Sequence, residues 1–220
     1  MTIPGRFSRE HAVIEEDMQL ILASQSKGRA ALLKAAGYRF RQIPSRIKEP
    51  PPPEGAPLEH YVLELAILKA KAIAEKYPDA VVIGADTALI LGRNVIGKPK
   101  TLTDARRMLA ALGGRKHRIS SAVCIIFPKR SLSGKTRILK AVDTAYVTLR
   151  KWTPARIRTH VALTRPLSWA GAYAVQDPFS AAIVERIDGD LATVIGLPWA
   201  KMESLHPLQQ QRRVVSAEAE

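Results

Sequence analysis

Val81-Val82-Ile83-Gly84-Ala85-Asp86-Thr87 is the stretch on which the fold turns. Val81-Val82-Ile83 reads as a central strand, because a short unbroken apolar run suits a strand covered on both faces. Asp86 follows Ala85 directly, so a carboxylate stands at the C-terminal end of that strand, where open α/β sheets place ligands. It is the only acid between Ala80 and Thr103, with Arg93, Lys98 and Lys100 close by in sequence. Basic surroundings favour its ionised form and a hard cation such as Mg²⁺. The competing reading is an Asp that caps a turn before Thr87.

Upstream, Val62, Leu65, Ala66, Ala70 and Ile73 recur at spacings of three and four, which predicts a helix from Leu58 to Tyr77, stopped by Pro78. Lys69 stands among these apolar residues, and Lys98 lies in a loop stiffened by Pro99. Both lysines could reach a phosphate, and the plain alternative for each is a solvated side chain. Leu20 to Ala23 reads as a buried strand and Arg29 to Ala36 as a helix closed by Gly37. Between them, Ser24-Gln25-Ser26-Lys27-Gly28-Arg29 forms either an anion cradle at a helix N-terminus or a polar turn with a capping serine. Tyr38 to Ile43 alternates as a strand does, and Pro50 to Pro57 must be an irregular loop preceded by Glu49.

Downstream, Ala88–Leu91 and Val95–Ile96 flank Gly92-Arg93-Asn94 as a hairpin, and Thr103 is read as the cap of a helix ending at Leu112. Ile119 to Phe127 and Arg137 to Leu149 read as two long antiparallel strands joined near Gly134. Thr153-Pro154 opens a helix, Ala181 to Ile187 and Thr193 to Ile195 read as strands, and Pro198 opens a last helix. The whole is α/β, with a mixed, partly antiparallel sheet and flanking helices.

The chain has 220 residues and a net charge of +14, enough length for one large domain or two small lobes. That charge attracts polyanions. From Ala105 to Val142 there is no acid against ten Lys or Arg. One cysteine, Cys124, excludes an internal disulfide, and no apolar run reaches membrane-span length. No export signal is read at the N-terminus, and a reducing, cytoplasmic setting is the expectation. Five scattered histidines without an i, i+4 pair argue against zinc. There is no G-x-S-x-G and no Walker loop, which leaves the phosphate reading.

Five segments, in order, resemble the Maf family of nucleoside triphosphate pyrophosphatases. Leu20 to Ser26 with Arg29 and Leu32-Leu33 is similar to its opening L-A-S-x-S-P-R-R-x-x-L-L, and Tyr61 to Ala70 to its Y-V-x-x-L-A-x-x-K-A. Gly84 to Thr87 with Gly97-Lys98-Pro99 resembles its A-D-T and K-P pair, Ala170 to Gln176 its A-G-x-Y-x-I-Q, and Val194 to Pro198 its V-x-G-L-P. The resemblance implies two lobes around a central cleft, of the Maf and ITPase type. It implies hydrolysis of a nucleoside triphosphate to the monophosphate and pyrophosphate with Mg²⁺ or Mn²⁺, by a cytoplasmic homodimer that does not engage a membrane. It implies Asp86 as catalytic base and metal ligand, Glu49 as second metal ligand, and Lys69 and Lys98 as catalytic cations. Ser24, Ser26, Arg29, Thr87 and Gln176 would bind substrate, and Thr87 and Gln176 resemble the branch preferring dTTP and UTP. Three places depart from the pattern: Lys27-Gly28 replaces Pro-Arg, Lys48 replaces the acid of D-E, and Ser168-Trp169 replaces D-K before A-G. Residues 1–18 are expected to be an extension, with Met18 as start, 19–208 the domain and 209–220 a flexible tail. The rival expectation is a weakly catalytic or non-catalytic Maf-like protein that binds nucleic acid through its basic surface.

Overall fold

The computed structural model describes residues 18–52, 57–128 and 136–204. The expected extension up to residue 17, the turn near Gly134, part of the proline segment and the tail lie outside the described residues.

Seven strands form one mixed sheet: β1 (Leu20–Leu22), β2 (Arg41–Gln42), β3 (Val81–Leu91), β4 (Asn94–Ile96), β5 (Lys116–Phe127), β6 (Arg137–Leu149) and β7 (Val184–Asp188). Their order is β2-β1-β3-β5-β6-β7, with β4 paired to the far half of β3. β1 runs parallel to β2 and β3, while β3, β4, β5, β6 and β7 pair antiparallel. The helices are α1 (Lys27–Ala35), α2 (Leu58–Ala74), α3 (Leu102–Leu112), α4 (Pro154–Leu163), α5 (Pro178–Ala181), α6 (Leu191–Ile195) and α7 (Trp199–Ser204).

The parity of β3 organises the molecule. Side chains alternate along a strand, so Val81, Ile83 and Ala85 join the core beside α1 and α7, whereas Val82 and Ala88 join the core beneath α2. A third core, built from Leu89, Leu109, Ile119, Val147, Ile157 and Tyr173, fills the other lobe. Gly84 lets α2 come close: a Cβ there would lie 2.3 Å from the Ala66 carbonyl oxygen and 2.6 Å from the Ala70 nitrogen.

Several expectations are corrected. Thr193 to Ile195 is helical, because the Asp190 carboxylate accepts from the Ala192 N–H at 3.0 Å and this local cap overrides β-branched propensity. Thr101, not Thr103, caps α3 by accepting from the Asp104 N–H. The expected strand from Ala181 begins only at Val184, since Asp177 and Pro178 start a helical turn first. Val81–Ile83 and Ala88–Leu91 are one continuous strand, Tyr38–Ile43 pairs only at Arg41–Gln42, and α2 ends at Ala74.

Candidate active site

A cleft of about 1120 Å³ opens between the lobes, and all nine residues expected to form the site line it: Ser24, Ser26, Arg29, Glu49, Lys69, Asp86, Thr87, Lys98 and Gln176. Parity explains its floor. Asp86 shares a side of β3 with Gly84 and so faces α2, where Lys69 falls on the buried stripe of Leu65, Ala66, Ala70 and Ile73. The close approach at Gly84 brings Lys69 Nζ to 2.5 Å from Asp86 Oδ1 and 2.7 Å from Glu49 Oε1. Lys69 is therefore a buried ion-pair partner and not the solvated side chain that its type favours.

Thr87, one residue on, points the other way, toward α1. Arg29 is buried, and three of its five N–H donors meet protein acceptors: Nε donates to the Gly196 carbonyl at 2.7 Å, Nη1 to Ser24 Oγ at 3.0 Å and Nη2 to Thr87 Oγ1 at 3.0 Å. Ser121 donates its one hydrogen to the Thr193 carbonyl at 2.7 Å, so the 2.8 Å contact between Thr87 and Ser121 is a donation by Thr87. The Thr87 hydroxyl thus binds protein on both sides. Ser24 accepts from Arg29 and from the Ser26 N–H at 3.2 Å, which leaves its own hydrogen to donate.

Burial pushes the Asp86 carboxyl above its ordinary range, against the opposing pull of Lys69 and Arg29. Burial also lowers Arg29, with Asp86 and Glu49 acting the other way. Among the described residues no cluster of three or more His, Cys, Asp or Glu could hold a metal. Asp86 and Glu49 do, however, converge on one point, the Lys69 ammonium. Two hard carboxylates suit Mg²⁺ or Mn²⁺, which need only one or two protein ligands beside water and phosphate oxygens.

Gly28 lies against Gln176: a Cβ there would meet Ile195 Cγ2 at 2.9 Å and Gln176 Nε2 at 3.1 Å. Lys27 lines the cleft beside it, as do Arg46 and Arg165, which sequence reasoning missed. Arg46 has φ +51°, a strained value for a non-glycine residue that only the backbone reveals. Ser121, Gln42 and the Gly196 carbonyl were also missed. Gln42 Nε2 donates to the Ser24 carbonyl at 2.8 Å, and alternation along β5 was the one signal that could have flagged Ser121.

A mixed sheet whose central strand delivers a carboxylate to a cleft lined by several cations defines an α/β protein with a pocket suited to an anionic ligand. The family model described as Maf-like protein matches residues 19–207, and the chain belongs to that family. It is 39% identical over 185 residues to a dTTP/UTP pyrophosphatase of Aquifex aeolicus, covering 84% of this chain and 92% of the relative. It is 40% identical over 187 residues to a dTTP/UTP pyrophosphatase of Anaeromyxobacter dehalogenans, covering 85% and 92%. Among solved structures, a HAM1 protein from Coxiella burnetii is similar with a TM-score of 0.42 and 16% identity, covering 90% of this chain and 97% of that one.

Proposed function

We propose that this chain hydrolyses a nucleoside triphosphate, dTTP- or UTP-like, to the monophosphate and pyrophosphate. The observation that carries the reading is the Lys69 ammonium bridging Asp86 and Glu49 on the floor of a cleft lined by Ser24, Arg29 and Lys98. Family membership and the activity named for its relatives point the same way.

Asp86 is the base in this mechanism. Its raised carboxyl is a better proton acceptor than an ordinary aspartate and takes a proton from the attacking water. Asp86 and Glu49 would also hold a divalent cation, which neutralises charge on the phosphoryl oxygens when bound. Ser24 directs its free hydrogen at a phosphate oxygen, and Lys98, exposed at the rim, adds a cation that the developing negative charge can meet. Arg29 contributes its fixed charge while its hydrogen bonds hold α1, β3 and the Gly196 turn together. Gln176 and Thr87 set the base preference in this reading, Thr87 through Arg29.

A cytoplasmic homodimer is part of the same proposal, motivated by the single buried thiol of Cys124 and by the family likeness. No helix among the described residues is long and apolar enough to cross a membrane. The nucleic-acid reading is not adopted. Within the acid-free stretch Arg107 pairs with Asp104, Lys116 with Asp188 and Arg118 with Glu59, so part of its charge is already matched.

A triphosphate panel with Mg²⁺ or Mn²⁺, assayed for pyrophosphate, tests the activity. Release from dTTP or UTP, lost at least a thousandfold in Asp86→Asn, is expected. A panel in which no triphosphate is cleaved overturns it.

A further inference from the structure

The cleft has an apolar end that the phosphate chemistry does not use. Past Asp86, β3 runs on to the hairpin, where Leu89 pairs with Ile96 and Ile90 with Val95. Val95 therefore stands four residues, about 13 Å, beyond the carboxylate along the sheet. Val95 and Leu167 are large apolar side chains that are 37% and 44% exposed, and both line the cleft. Trp169 lines it as well, half-buried on the same turn as Leu167.

That turn is fixed in place. The Gly171 N–H donates to the Gly97 carbonyl at 3.0 Å, one residue before Lys98. Gly171 has φ +67°, and a Cβ there would meet Leu89 Cδ1 at 2.7 Å. The backbone carrying Trp169 is thus held against β3 and against the Lys98 loop, so little ordering is needed when a ligand arrives. An indole cannot neutralise phosphate. It offers a flat face on which any nucleobase stacks. The other two tryptophans are engaged elsewhere: Trp152 against His160, and Trp199 against Tyr38.

We propose that Trp169 contacts the substrate by stacking on its nucleobase, with Val95 and Leu167 completing an apolar rim. This rests on the nucleoside triphosphate reading above and adds a stacking face to the base preference assigned there to Gln176 and Thr87. Phosphate and base then share one cleft, with the Gly97 carbonyl tying the Trp169 turn to the loop that carries Lys98.

Tryptophan fluorescence titrations with dTMP and with inorganic tripolyphosphate, beside calorimetry, test it. The full chain is expected to be quenched by dTMP and not by tripolyphosphate. Trp169→Phe, which keeps a ring, should abolish the quench and hold dTMP affinity within about threefold. Trp169→Ala should weaken dTMP at least fivefold, at the low end for loss of one stacked base, and raise KM for dTTP with kcat little changed. Circular dichroism establishes that each variant is folded. Calorimetric dTMP binding without any change in fluorescence, unchanged affinity in Trp169→Ala, or no dTMP binding at all overturns the proposal. If dTMP quenches as described but no triphosphate is cleaved, the activity falls and the stacking stands. If pyrophosphate is released and Trp169→Ala leaves KM unaltered, the stacking falls and the activity stands.

Discussion

Asp86 and Thr87 are adjacent in sequence and serve opposite walls of the cleft, because a strand turns successive side chains to opposite faces. The pair divides labour accordingly: Asp86 meets Lys69 of α2, and Thr87 meets Arg29 of α1. Thr87→Val keeps the shape and removes the hydroxyl, leaving one Arg29 N–H and the Ser121 oxygen without their partner. We expect a loss of about 1 to 3 kcal/mol in urea unfolding. In steady-state assays the same variant should lower kcat/KM for dTTP about tenfold, since a misplaced Arg29 disturbs the phosphate wall. An unchanged kcat/KM would show that Thr87 holds nothing the reaction needs. At this scale the sequence was informative wherever a residue type was out of place for its surroundings. An acid ending an apolar run and a lysine on an apolar helix stripe could be read that way. Alternation could place Ser121 on a face of β5 but could not give its role or that of the Gly196 carbonyl, because both depend on where β5 and α6 meet β3 and α1, contacts between segments far apart in the chain.

Among the elements, α2 and β3 set the site by how closely they pack. Gly84→Ala puts a methyl against the backbone of Ala66 and Ala70, neither of which can rotate away. A cost of about 3 kcal/mol in unfolding free energy is expected, the upper end for overpacking a close contact. Activity should fall further than stability, because α2 can only yield by drawing Lys69 back from Asp86. Urea melts and pyrophosphate assays on the same preparation check both halves of this expectation. The long elements were legible because periodicity accumulates over many residues, as in α2, β5 and β6. The short ones were not. In α6, three β-branched or aliphatic residues pointed to a strand, and a single aspartate cap with a glycine at φ +120° behind it decided otherwise. The sequence reads Thr103 as the cap of α3, and only the hydrogen bond from the Asp104 N–H identifies Thr101 in its place.

For the whole molecule, response to acid is governed by groups buried in one charge state. His117, 2% exposed, lies 2.6 Å from the Tyr173 hydroxyl and is held down to about 4 by burial, against 6.5 for a free imidazole. The unfolded chain takes up a proton as pH falls from 6.5 toward 4, and the folded one does not. The contribution of His117 is therefore complete above pH 6.5 and is lost across that window, to the order of 3 kcal/mol. His160, also lowered by burial, acts in the same direction. Asp86 acts oppositely, since a raised carboxyl is favoured in the fold by acid. Urea midpoints between pH 7.5 and 4.5 should fall steeply for the native sequence and less steeply for His117→Gln. Parallel slopes in the two proteins would rule His117 out as the source.

The 2.7 Å bond from Arg29 to the Gly196 carbonyl joins residues 167 positions apart. It acts as a clasp between the two ends of the domain, so the Arg29 guanidinium gains this acceptor only once the chain through Gly196 is made. A nascent polypeptide that stops short of Gly196 already carries Asp86 and Lys69, yet it has no latch for the guanidinium.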